Sequence, residues 1–122
     1  MKLHRTGPTP YNTITGYGED HVLVNSQRHD SSLIVMPDRV VAWDVSEFTK
    51  ITSADFERLA ALHPEIVLLG TGPKQRFPPP RLTAPLAAAG IGLEVMDLKA
   101  ACRTYNILVA EERKVAAALM FK

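Results

Sequence analysis

The chain has 122 residues, 46% hydrophobic and 22% charged, with a formal net charge of +1 at pH 7. That length and composition suit one domain over residues 1–122 with its own core, and they exclude a disordered chain. Interspersed charges of both signs exclude the basic stripe a nucleic-acid partner needs, and the lone Cys102 excludes an intrachain disulfide and a CxxC pair, as fits a reducing compartment.

The opening "MKLHRTGPTPYN" lacks the apolar stretch of a secretory signal, and its prolines disfavour an amphipathic transit helix. The longest apolar run, "VAAALMF" from Val115 to Phe121, falls far short of the roughly 18 residues a membrane span requires. A cytoplasmic protein with no membrane insertion is expected.

Strand patterns dominate the first third. "YNTITGYGEDHVLVN" places β-branched and aromatic residues on either side of Gly16, Gly18, Glu19 and Asp20, which predicts a hairpin with an irregular turn. "SSLIVMP" and "RVVAWDV" are separated only by Pro37 and Asp38, so one small antiparallel sheet is expected over residues 11 to 45. Trp43 is expected to anchor its core with a satisfied indole N–H rather than to stack on a ligand.

The period then changes. In "TSADFERLAALHP", Thr52 or Ser53 can cap a helix, Asp55 completes a capping box with Thr52, and Pro64 ends the helix. Phe56, Leu59, Ala60 and Leu62 or His63 fall on one face, which should pack on the sheet. "EIVLLG" reads as a strand buried on both sides, and "RLTAPLAAAGIGLEVM" as a short helix followed by a strand ending near Met96. That helix should have Pro85 near its first turn and Gly90 at its end. The resulting strand, helix, strand unit suits a right-handed parallel crossover.

The alanine-rich last quarter favours helix throughout, and the pattern breaks near Glu111 to Arg113. Asp97 should cap a helix that buries Leu98, Ala101, Cys102, Tyr105, Leu108 and Val109. From Val115 onward, both alternating sets of side chains are apolar, which predicts an interior strand.

The stretch with the most chemical content is "VLLGTGPKQRFPPP", residues 67 to 80. Gly70, Thr71 and Gly72 after a strand can converge backbone N–H groups on an anion. Against a dinucleotide or P-loop fingerprint, Pro73 has no N–H and a proline run separates the glycines from the next helix. A phosphate cradle, a recognition loop and a structural turn all remain open here. The prolines favour a stiff loop that displays Lys74, Arg76 and Phe77 at fixed positions.

On the last helix, Arg103 and Asn106 share a flank at a spacing of three. Asn is a mediocre interior helix residue, so its side chain should have a bonding role, or else a local partner on a solvated flank. A groove could form between this flank and the glycine turn if the two elements adjoin. His4, His21, His29 and His63 have no paired spacing on one helix, so no metal site is expected. Cys102 reads as a small buried hydrophobe, Glu111 and Glu112 as a solvated turn, and no Gly-x-Ser-x-Gly elbow is present.

The segments "VVAWDV", "EIVLLGTG" and "GIGLEVMDLKAACRTYNILVAEERKVAAAL" resemble the small domain family that includes mitochondrial complex I assembly factor 3 and the adipogenesis-associated domain protein, with many bacterial members. The resemblance runs from about Thr13 to Leu119, its most specific parts being the Gly-Thr-Gly turn and "ACRTYNIL". It implies an α/β (α+β) single domain of three layers, β/α/β, with a mixed central sheet, a smaller antiparallel sheet and about three helices. It also implies helix then strand in the last quarter, and a turn where relatives often carry glycine in place of Glu112. The family supplies no catalytic residues and no cofactor to carry over.

Two functional expectations follow. The first is a noncatalytic interaction protein with a protein partner, assisting assembly of respiratory complex I or another membrane-associated complex. The second is a small anionic ligand-binding protein or enzyme that uses the Gly-Thr-Gly loop. In either case the expected recognition residues are Gly70, Thr71, Gly72, Arg76, Arg103 and Asn106, with no catalytic residue, metal or cofactor assigned.

Overall fold

Local chemistry fixes the ends of the helices in a computed structural model that describes residues 10–122. The expectations for the opening residues, His4 among them, fall outside that range. In chain order the strands are β1 (Ile14–Tyr17), β2 (Val22–Val24), β3 (Gln27–His29), β4 (Leu33–Met36) and β5 (Arg39–Ala42). A single 3-10 turn (Phe48–Lys50) leads to α1 (Ser53–Ala61), β6 (Ile66–Thr71), α2 (Pro80–Ala88), β7 (Gly92–Met96), α3 (Leu98–Ala110) and β8 (Val115–Met120).

The Thr52 N–H donates to the Asp55 carboxylate at 2.8 Å, and the Asp97 carboxylate accepts from Ala100 N–H at 2.8 Å, so α1 and α3 begin where the capping residues stand. At their other ends, α1, α2 and α3 each turn through a left-handed residue, His63 (φ 56°), Gly90 (φ 71°) and Glu112 (φ 64°). In α2 and α3 the paired bonds of a Schellman turn close the helix. Ile91 N–H reaches Leu86 O at 2.9 Å, and Arg113 N–H reaches Leu108 O at 3.1 Å. A glycine would adopt the Glu112 conformation without the steric cost of a Cβ.

The strands form two sheets. β1, β2 and β3 make a three-stranded antiparallel sheet, and the five-stranded central sheet has the order β5-β4-β8-β6-β7. Within the central sheet, β4 is antiparallel to β5 and β8, while β6 is parallel to both β7 and β8. β6 and β8 take the middle because their side chains are apolar on both faces, and every residue of β8 is buried. Leu68, Val115, Ala117 and Leu119 pack toward α3 and the small sheet. Val67, Leu69, Ala116, Ala118 and Met120 pack toward α1 and α2. Small sheet, α3 and central sheet are thus three successive layers, with α1 and α2 covering the outer face of the central sheet.

Three local expectations need correction. The single antiparallel sheet over residues 11 to 45 is divided: β4, buried at all four positions, needs cover on both faces and joins the central sheet with β5, whereas β1 and β2 bury one side. β3 is polar and forms because Asn25 and Ser26, at φ 50° and 69°, make a two-residue hairpin turn. Pro85 lies inside α2, whose first position is filled instead by Pro80 at the end of the proline run. Trp43 is a core anchor at 4% exposure, but its indole N–H is buried without an acceptor among the described residues.

That orphaned donor separates the packing of Trp43 from its polarity. Trp43→Ala should lower unfolding free energy by about 3 to 5 kcal/mol, through lost apolar burial and a cavity. Trp43→Phe should lower it by less than about 1.5 kcal/mol, because it removes the unpaired N–H while keeping most of the ring. Urea titrations of the two variants check this, and equal losses would contradict the expectation that a six-membered ring at this position retains most of the packing.

Candidate functional site

β6 ends at the turn that carries the glycines, and close packing determines their roles. A Cβ on Gly70 would lie 3.0 Å from Ala101 Cβ and 3.0 Å from Leu119 Cδ2, so the missing side chain lets α3 settle onto the sheet. Gly72 has φ +79°, and a Cβ there would meet the Phe121 carbonyl oxygen at 3.0 Å. Its own carbonyl accepts from Leu98 N–H at 2.8 Å. Thr71, fully buried, holds the loop from within: its hydroxyl donates to the Lys74 carbonyl, and Oγ1 accepts from Arg76 N–H at 3.0 Å. The Leu98 and Arg76 amides beside the turn are therefore already engaged.

Arg76 folds back over this loop. Its Nη2 donates to Thr71 O at 2.9 Å, and its guanidinium carbon sits 4.6 Å from the centre of the Phe48 ring. The side chains the loop displays are Lys74, Gln75 and Phe77, all exposed. Asn106 is likewise engaged. Its Oδ1 accepts from Ile14 N–H at 2.9 Å and its Nδ2 donates to Ile14 O at 2.8 Å, so one side-chain amide pairs with the β1 backbone as another strand would. Next to it, Tyr105 OH donates to Asn12 O at 2.8 Å. Arg103 is exposed, and its Nη1 donates to Tyr17 OH at 3.3 Å.

The site residues expected from sequence are thus distributed over three places. Gly70 and Thr71 lie in the interior with Arg76 folded over them, Arg103 and Asn106 face the small sheet, and Gly72 alone lines an open crevice. That crevice, about 470 Å³, lies between the turn and the start of α3, with Glu19, Pro73, Asp97, Lys99 and Phe121 around it. Its position follows from topology. β6 leads to α2 on one face and β7 to α3 on the other, so their connections diverge at the carboxyl ends of the strands, where open α/β sheets place ligands. The α3 terminus already has the Asp97 carboxylate on it, and the crevice wall carries Glu19 against a single cation, Lys99, so the two carboxylates outweigh one ammonium and disfavour a phosphate.

Cys102 is buried, and burial pushes its thiol up to about 12, so it stays protonated and inert near neutral pH. Among the described residues no group of three or more His, Cys, Asp or Glu side chains could hold a metal ion. No described helix is long and apolar enough to cross a membrane.

A second cavity, about 450 Å³, was not anticipated from the sequence. It lies against the outer edge of β7, among Gln75, Phe77, Pro78, Pro80, Thr83 and the Leu93, Glu94 and Val95 stretch of the strand. The signal that could have found it is Phe77, an aromatic in an otherwise polar and proline-rich loop, followed by the alternation of Leu93, Glu94 and Val95.

The fold has known counterparts. The family model for the protein of unknown function DUF498/DUF598 matches residues 14–120. The chain belongs to this family. A crystal structure from Bordetella parapertussis superposes on the DUF498/DUF598 domain with a TM-score of 0.86 at 41% identity, covering 93% of this chain and 98% of that one. The 13 kDa major membrane protein of Francisella tularensis subsp. holarctica is 31% identical over 82% of this chain and 83% of its own length. The bovine NADH dehydrogenase [ubiquinone] 1 alpha subcomplex assembly factor 3 is 34% identical over 88% of this chain. That alignment spans only 59% of the bovine protein.

The opposite orientations of the two arginines lead to different outcomes on truncation. Arg76→Ala should cost about 1 to 2 kcal/mol of folding stability, because it removes the donor to Thr71 O and the contact with Phe48. Arg103→Ala should remain within about 0.5 kcal/mol of the parent, as an exposed substitution. Thermal and urea unfolding of both variants measures the difference, and the reverse order would contradict these placements.

Proposed function

We propose that this chain is a noncatalytic interaction protein that holds a polypeptide partner during assembly of a membrane-associated complex. The observation that carries the reading is its 34% identity, over 88% of its length, to a protein named as an NADH dehydrogenase assembly factor. The name of the Francisella relative, a major membrane protein, supports a partner at a membrane. Within the DUF498/DUF598 domain, Gly70, Thr71, Arg76 and Asn106 serve the reading by shaping and fixing the surface. Gly72 contributes backbone to the wall of the crevice, and Arg103 is exposed beside Tyr17 of the small sheet. Long cationic side chains and exposed aromatics on a stiff support can add specificity at modest ordering cost.

The test is capture from a detergent-solubilised extract by the immobilised full chain at about 0.15 M salt, where weak surface attraction is largely screened. Subunits of an NADH dehydrogenase or another membrane complex should co-purify reproducibly. Recovery of the chain alone, together with measurable turnover of a small molecule, would contradict the reading.

A further inference from the structure

β7 is a free edge of the central sheet, paired on one side with β6. Gly92 N–H bonds to Glu65 O, which fixes the alternation: residues 92, 94 and 96 direct their backbone groups to β6, and Leu93 and Val95 direct theirs outward. No described backbone group pairs with Leu93 N–H, Leu93 C=O or Val95 N–H. Val95 C=O does have a partner, and its identity is informative: the exposed Gln75 side chain donates Nε2–H to it at 2.9 Å. A side-chain amide stands where the N–H of a neighbouring strand would stand, and it also guards the edge against uncontrolled pairing.

The side chains beside this edge are suited to an occupant. Leu93 and Val95 are half-buried on the α2 side, where Phe77, 69% exposed, and Pro80 extend the cavity outward. On the other side of the strand Glu94 is exposed, and it forms no ion pair among the described residues. A second copy of this chain fits poorly. Antiparallel self-pairing that uses the outward groups of Leu93 and Val95 on both copies sets Glu94 directly opposite Glu94, a like-charge pair.

We infer that the β7 edge receives an extended segment of a partner polypeptide in which a cationic residue is flanked by apolar ones. The segment displaces Gln75 from Val95 C=O and continues the central sheet. Its apolar side chains enter the cavity against Phe77, Pro80, Leu93 and Val95, while its cation faces Glu94 on the opposite side. This is strand addition, in which backbone pairing gives affinity and alternate side chains give selectivity. It rests on the interaction reading above only in taking the occupant to be polypeptide.

The probe is a blocked octapeptide alternating valine and threonine, with one lysine flanked by valines, titrated into the full chain and followed by backbone amide NMR shifts. Saturable shifts should centre on β7 and residues 75–80. Replacing the lysine with glutamate should weaken binding about tenfold, and Glu94→Lys should reverse that preference. The same peptide with all backbone amides N-methylated should not bind. Shifts centred elsewhere, tight binding of the N-methylated peptide, or no change in preference with Glu94→Lys would overturn the inference. So would a concentration-dependent dimer that protects the β7 amides, which would identify a second copy as the occupant. A chain that captures partners from extract but ignores the peptide overturns the edge inference and leaves the interaction reading intact.

Discussion

α3 is held between two sheets that both pack on it, only Ile107 among its large apolar side chains staying exposed, and the rest of the fold is arranged to let them. Leu98, Ala101, Cys102, Tyr105 and Val109 are buried in one cluster with residues of both sheets. Small residues make the approach feasible, since Gly70 on β6 faces Ala101 at a distance that would not admit a Cβ without adjustment. The small sheet then needs a fixed register on the helix, and apolar contact is too indifferent to direction to set one. Asn106 provides it by taking both backbone groups of Ile14. Each such bond adds only about 1 kcal/mol net, whereas leaving a buried backbone group unmet costs about 1 to 3 kcal/mol, so the pair acts mainly against misplacement.

This arrangement separates two surfaces. At the carboxyl ends of β6 and β7, the α3 terminus and the glycine turn enclose a crevice whose charged residues are Asp97, Glu19 and Lys99. At the sheet margin, β7 presents unpaired backbone groups beside an exposed aromatic. Neither surface depends on movement of the core, because Thr71 and Arg76 fix the loop between them through bonds of their own. A partner could engage either without unpacking the sheet.

Local signals were legible in the sequence where the cause is local. The Thr52 and Asp55 cap, the Asp97 cap, the break at Glu111 to Arg113 and the doubly buried strand after it each depend on residues within a few positions. What was not legible depends on distant partners. Asn106 stood out as an awkward helix residue, but its partner Ile14 is 92 positions away, and nothing near Asn106 points to it. Arg76 read as a displayed cation because composition does not show that Phe48 lies within reach. β3 is not legible because "QRH" has no strand propensity, and only the Asn25-Ser26 turn with its paired neighbour makes it a strand. The division of the first third into two sheets followed from burial on both faces of β4, a pattern visible in "LIVM" but outweighed by its proximity to the preceding hairpin.

Amide hydrogen exchange tests most directly whether α3 holds the small sheet through Asn106. In the parent chain, amides of β1 and β2 should exchange as slowly as a cooperative core permits. In Asn106→Ala, protection across β1 to β3 should fall about 30-fold, corresponding to about 2 kcal/mol for the two unmet Ile14 groups. β6 and β8 should keep most of their protection, because their pairing to each other and their cover by α1 and α2 are unchanged. An equal loss in both sheets, or no loss in the small sheet, would contradict the account.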